Sequence, residues 1–199
     1  MFKIATITGA GISKASGVPT FEERGDLRDK LSREFFESSP REFYDILLTM
    51  EAKIKLAKPN DAHLALAEFE VPIVTMNIDG LHHRAGSSNV VEIHGNLESV
   101  YCHSCNLDFD LNIIKENINC PECRRTLEPN VVLYGDMLPK FHEALETIGY
   151  TERLLVVGTS FYTSTVCELV DWAKFSNIPV DIINDNSETK VREYLKKYM

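Results

Sequence analysis

The chain has 199 residues, 44% of them apolar and 26% charged, enough for one medium-sized core with a smaller subdomain. A net charge of −9 argues against sequence-independent nucleic-acid binding, which needs clustered Lys and Arg, and leaves room for a basic peptide. No run of 18 apolar residues suggests a membrane span, no basic leader precedes Ile4, and four of the five cysteines pair in CxxC units, so the reading is a reducing, cytoplasmic setting.

The first predicted strand, 3–8, runs into Thr8-Gly9-Ala10-Gly11-Ile12-Ser13. Glycines after a strand suit either a plain tight turn or a nucleotide cradle, where backbone N–H groups approach a pyrophosphate and Ser13 adds a hydroxyl. Lys14 stands where the dinucleotide fingerprint GxGxxG wants its third glycine, so an ordinary hydride-transfer site is not expected. Residues 22–70 then lack any strand signal. Phe43, Tyr44, Leu47, Met50 and Ile54 recur at helical spacing, and Pro59-Asn60-Asp61 opens a further helix bearing His63, Leu64 and Leu66, with Asn60 or Asp61 as its cap.

A strand at 71–75 delivers Asn77-Ile78-Asp79 to its carboxyl end, where open α/β sheets bind ligands. The next strand, 90–93, closes on His94 and Gly95; histidine suits proton transfer near neutral pH, and glycine admits a close neighbour. His82 and His83 read as a short helix with one ring packed and one solvated. Cys102-x-x-Cys105 and Cys120-x-x-Cys123 have the spacing of a four-thiolate structural zinc site, with no position open for catalysis. A nucleic-acid-binding zinc ribbon is the competing reading, and Lys115, Arg124 and Arg125 are too few to favour it. His103 reads as a surface residue. Strands at 131–133, 154–157 and 180–183 follow, and Cys167 reads as core on the helix between the last two. Short Val/Ile-rich strands alternating with helices predict an α/β fold: a doubly wound, mostly parallel, Rossmann-like sheet. Residues 1–21, 71–97 and 129–199 would form it, with a small helical module at 22–70 and a zinc-binding module at 98–128.

Taken together, Thr8 to Ser13, Ala15-Ser16-Gly17-Val18-Pro19-Thr20-Phe21, Asn77-Ile78-Asp79-Gly80-Leu81-His82, Ala85-Gly86, Glu92-Ile93-His94-Gly95, the four cysteines, Pro129-Asn130-Val131-Val132-Leu133-Tyr134-Gly135, Gly158-Thr159-Ser160 and Ile183-Asn184 make the chain resemble a sirtuin almost end to end. The resemblance implies an NAD-dependent protein lysine deacylase that moves an acyl group from lysine to ADP-ribose and releases nicotinamide. It implies His94 as general base, Asn77 orienting ribose and water, and Asp79 with Ile78 holding the nicotinamide carboxamide. It places Gly9, Ala10, Gly11, Lys14, Thr20, Phe21, Gly158, Thr159, Ser160 and Asn184 along NAD, with Phe21 shielding the reacting carbon. Val132, Tyr134 and Gly135 would pair with the acyl-lysine peptide as an added strand, and zinc would be structural.

Two positions depart from the pattern. Glu22 stands where the family has arginine, with Arg24 or Arg28 available to supply the cation, and Met76 stands where it has glutamine; both predict altered NAD binding. The acidic-acyl Tyr-x-x-Arg pair is not found around Tyr44. The rival readings are NAD hydrolysis or mono-ADP-ribosyl transfer by the same site, and a non-catalytic NAD-sensing module.

Overall fold

The computed structural model describes residues 1–19, 27–160 and 164–199. In chain order, β1 (Ala5–Thr8) is followed by a 3₁₀ helix (Ala10–Ser16), α1 (Leu27–Lys30), α2 (Arg33–Ser38), α3 (Pro40–Ile54), α4 (Asp61–Glu68), β2 (Ile73–Thr75), α5 (Leu81–Arg84) and β3 (Val90–Glu92). Next come β4 (Ser99–Cys102), β5 (Leu107–Asp110), a second 3₁₀ helix (Leu111–Lys115) and β6 (Glu128–Pro129). The order is completed by α6 (Phe141–Gly149), β7 (Leu154–Val157), α7 (Ser164–Phe175), β8 (Val180–Ile183) and α8 (Ser187–Tyr198).

Five strands form an all-parallel sheet in the order β3-β2-β1-β7-β8. Side chains alternate between its faces and both faces are covered, which is why β7 reads as an unbroken apolar run. Ile7, Val74, Leu154 and Val156 pack against Ala144 and Ile148 of α6 and Val166 and Leu169 of α7. Ile73, Leu155 and Val157 face the other way, against Ala62 and Leu66 of α4 and Val191 and Leu195 of α8. With β2 on one side of β1 and β7 on the other, a crevice opens at the carboxyl ends of β1 and β7, the usual ligand position in such sheets.

The second sheet is antiparallel, in the order β5-β4-β6. It shares one core with the helices before it. Phe43, Tyr44 and Leu47 of α3 pack with Val100, Ile114 and Leu127, and the Tyr44 hydroxyl donates to Leu127 O at 2.5 Å. Phe36, Phe43 and Tyr44 meet edge to face, with ring centroids 5.0 to 5.8 Å apart.

Three expectations change. Helix α4 is grouped by sequence with the helical module, but its small-residue face lets it dock closely on the parallel sheet and α8. Residues 131–133 are no strand of the parallel sheet. They form an extended connector between the two sheets, with Val131 and Leu133 buried, and its backbone bonds go to scattered partners: Val132 N–H to His94 O and Tyr134 N–H to Leu31 O. Cys167 lies on α7 as read, but is half-buried beside the buried Val166 rather than in the core.

Candidate active site

The glycine turn is shaped by the chain's own backbone. Gly9 N–H donates to Val157 O at 3.0 Å and Gly11 N–H to Gly158 O at 2.7 Å. A Cβ on Gly11 would stand 2.7 Å from Gly158 Cα, and one on Gly158 would stand 2.2 Å from Ile12 N. These glycines therefore let two loops touch at the carboxyl ends of β1 and β7. Gly9 and Gly11 already spend their N–H groups inside the chain, so the expected donation from them to a pyrophosphate is not the reason they are glycine. Thr159 N–H donates to Asn184 Oδ1 at 3.0 Å, which joins the ends of β7 and β8 to the same rim.

Ser13 is the hub of a buried polar network. Its hydroxyl donates to Asp79 Oδ2 at 2.7 Å and accepts from Asn77 Nδ2 at 3.2 Å. Asn77 Nδ2 also reaches Gly9 O at 3.2 Å, and Leu81 N–H donates to Asp79 Oδ1 at 2.9 Å. The capping box of α4 fixes one more member: Asn60, not Asp61, is the cap, and its N–H donates to His63 Nδ1 at 3.3 Å. The proton of His63 therefore sits on Nε2, which faces Ser13 Oγ at 3.4 Å. Burial pushes the His63 pKa down to about 4, so this ring is neutral near pH 7. His82 is buried beside it, ring centroids 4.9 Å apart, with Nε2 2.9 Å from Thr8 Oγ1, while His83 is exposed. Sequence reasoning had only a possible hydroxyl at Ser13 and a helical position for His63; the Asn-x-x-His spacing of the capping box was the available signal.

His94 is half-buried and held at two points. Its Nδ1 lies 3.1 Å from Met76 O, and its own carbonyl accepts from Val132 N–H at 2.9 Å. A carbonyl only accepts, so Nδ1 carries the proton and Nε2 keeps a free lone pair. Burial lowers the His94 pKa from its usual value, opposed by the smaller effect of the Met76 hydrogen bond. Gly95 beside it has φ of +71°, and a Cβ there would collide with Asn130 O at 1.7 Å. Its close neighbour is the chain's own connector, not a ligand. Met76 turns its side chain into the core facing α6 and α7, so only its backbone serves the site.

A cavity opens over this network, lined by Ala10, Asn77, Ile78 and Asp79 together with Val18, Pro19, Leu27, Met50, Lys53 and Ile54. Apolar walls over an amide and a carboxylate fit a flat heteroaromatic carboxamide such as nicotinamide. Of the expected cofactor residues, Gly9, Ala10, Gly11, Asn77, Ile78 and Asp79 gather here, while Gly158, buried Thr159, exposed Ser160 and exposed Asn184 form the neighbouring rim. Lys14 is exposed on the 3₁₀ helix. Thr20, Phe21, Glu22 and Arg24 lie outside the described residues. Val132 and Tyr134 are already engaged: Tyr134 donates to Leu31 O at 2.9 Å and accepts from Arg33 N–H at 3.0 Å. A peptide strand must therefore use other main-chain groups of that segment.

Cys102, Cys105, Cys120 and Cys123 bring their sulfurs within 4.8 Å of one another, Cys102 to Cys123 at 3.5 Å and Cys105 to Cys120 at 3.9 Å. Thiolates ~2.3 Å from a tetrahedral zinc lie ~3.8 Å apart, so the set fits that ion. Each CxxC turn ends on a left-handed residue, Asn106 at φ +53° and Arg124 at +65°, whose N–H returns to the carbonyl of the first cysteine. His103 is exposed and outside the cluster.

The Sir2 family model matches residues 9–165. An NAD-dependent protein deacetylase of Bacillus anthracis is 36% identical over 213 residues, covering 99% of this chain and 87% of its own. A Sir2 homologue solved in complex with NAD superposes with a TM-score of 0.89 at 27% identity, covering 98% of this chain and 89% of that one. Sir2Tm bound to a propionylated peptide gives 0.83 at 30% identity, over 98% and 91%. The family match opens on the glycine turn, spans the Ser13 network, His94 and the cysteine clamp, and closes beyond Gly158: the chain belongs to the Sir2 family.

Proposed function

We propose that the protein is an NAD-dependent protein lysine deacylase that transfers the acyl group of lysine to ADP-ribose and releases nicotinamide. The observation that carries this reading is a neutral His94 whose only open ring nitrogen is Nε2, tied through Met76 O to the residue preceding Asn77. Relatives named NAD-dependent deacetylases and a neighbour holding a propionylated peptide support it.

NAD, when bound, would supply an electrophilic ribose carbon at which the acyl oxygen of the substrate lysine would replace nicotinamide. Asp79 and Ile78 hold the carboxamide, and Asn77 orients ribose and water. The Ser13 bonds to Asp79 and Asn77 fix both side chains before ligand arrives, which lowers the cost of ordering them. His94 Nε2 takes a proton from a ribose hydroxyl, and the Nδ1 bond to Met76 O steadies the resulting imidazolium. Ala10 and the Gly158, Thr159, Ser160 and Asn184 rim line the rest of the dinucleotide, with Lys14, Thr20 and Phe21. The peptide docks along the segment carrying Val132, Tyr134 and Gly135. Zinc on the four cysteines is structural. The protein acts in the cytoplasm, with no nucleic-acid or membrane partner; among the described residues no helix is long and apolar enough to cross a bilayer.

Incubating the protein with NAD and a panel of acyl-lysine peptides tests the proposal. Nicotinamide release is expected only when peptide is present. Release without peptide would favour NAD hydrolysis or ADP-ribosyl transfer, and no release at all would favour a sensing module.

A further inference from the structure

Arg33, at the start of α2, sits where three parts of the chain meet. Its guanidinium grips Asp136 with two parallel bonds, Nε to Oδ1 at 2.9 Å and Nη2 to Oδ2 at 2.8 Å. The remaining Nη1 reaches Glu128 Oε2 at 2.8 Å. Glu128 belongs to β6 and pairs in register with Tyr101, the neighbour of Cys102. Asp136 closes the turn that presents Tyr134 and Gly135: its N–H donates to Leu133 O at 3.0 Å, and its Oδ2 also accepts from Leu133 N–H at 3.2 Å. Gly135, at φ +102°, fills the third position of that turn, where a left-handed residue is required. Tyr134 N–H donates to Leu31 O and Tyr134 O accepts from Arg33 N–H, which ties the turn to the start of α2, and Arg28 lies over the Tyr134 ring at 5.4 Å.

We propose that Arg33 is the positioning residue of the peptide-binding turn, bracing 133–136 against β6 and α2 so that the acyl-peptide meets a preformed edge. The three charged groups are only 23 to 30% exposed, so their attraction is less screened than that of a surface pair. The Arg33 fork holds the Asp136 carboxyl below the usual carboxylate range. A forked guanidinium fixes the angle as well as the distance of its partner, which lysine cannot do. The Ser13, Asn77 and Asp79 network shares no hydrogen bond with Arg33, Glu128 or Asp136. Loss of Arg33 therefore acts on one substrate and spares the other.

The inference rests on the deacylase reading, and steady-state kinetics of the zinc-loaded full chain separate the two. In Arg33→Ala, KM for acyl-peptide rises roughly five- to tenfold while KM for NAD and kcat stay within about twofold of wild type. Arg33→Lys, which keeps charge but not the fork, falls between. Asp136→Asn weakens the same fork from the other side and gives the same peptide-selective rise, which covers the case of a poorly folding alanine variant. If wild type releases no nicotinamide with peptide, the deacylase reading itself is gone. If wild type turns over but peptide KM is unchanged in Arg33→Ala and Asp136→Asn, or rises together with NAD KM, the positioning role is overturned. A Lys variant indistinguishable from wild type overturns the role of the fork.

Discussion

An imidazole whose Nδ1–H is committed to a carbonyl is a base with a single direction, and at His94 burial also sets when that base is available. Protonation destroys the Nε2 lone pair, and burial disfavours the charged ring, so the base form persists to lower pH than for a free histidine, whose pKa is about 6.5. The acid limb of kcat/KM should accordingly fall with a midpoint below that ordinary value; a midpoint above it would place the base elsewhere. His94→Ala should cut turnover by roughly 100-fold or more while calorimetry finds NAD affinity within a few-fold of wild type. Retained turnover in that variant would remove the assignment. That Asn77, Asp79 and His94 lie just past strands was legible in the sequence, because short Val/Ile-rich runs mark those strands. The hub at Ser13 was not, because its partner His63 lies on a helix whose docking places the two together across 50 residues of chain. Met76 reads as a lost ribose contact when only side chains are weighed; its side chain joins the core, and the atom that matters is a carbonyl.

At the scale of elements, the two loops at the ends of β1 and β7 are in backbone contact, and a methyl group is enough to part them. Gly158→Ala should cost about 2 kcal/mol or more and weaken NAD binding, because a Cβ there meets Ile12 N at 2.2 Å in a left-handed conformation. Gly17→Ala is the contrast. Its φ is also positive, at +80°, but among the described residues nothing lies within 4 Å of the added atom, so about 1 kcal/mol is expected from backbone strain alone. Denaturant midpoints of the two variants measure the difference, and equal losses would mean that the loops can separate freely. Strands such as β1 and β7 were readable from short Val/Ile runs. The run 131–133 has the same composition and is not a strand, because local pattern reports burial and not which backbone supplies the partner. Helix α4 shows the same limit: its start and cap were legible, but the surface it docks on was not.

Across the whole molecule, the zinc module and the helices α1 to α3 have no separate interiors. Cys102 and Cys120 belong to the same apolar cluster as Phe36, Phe43, Tyr44 and Leu47. Chelating zinc should therefore raise hydrogen exchange in 27–54 as well as in 98–128, while β1, β2 and β7 stay protected. A change confined to 98–128 would show that the helices hold their fold alone. The cysteine spacing made the metal site legible; the shared interior was not, since it joins segments separated along the chain by β2 and β3.

The parallel pairing of β1 with β7 also dictates a sequence of assembly. The glycine turn is synthesised well before the strand it must lie beside, since Ala5 pairs with Leu154. During translation, the Gly11 amide and the floor of the crevice stay wet until β7 leaves the ribosome and inserts beside β1. Such distant pairing closes slowly, so the nascent chain passes through an interval in which the glycine turn, the Ser13 network and His94 have been made while the crevice they serve is still open on the β7 side.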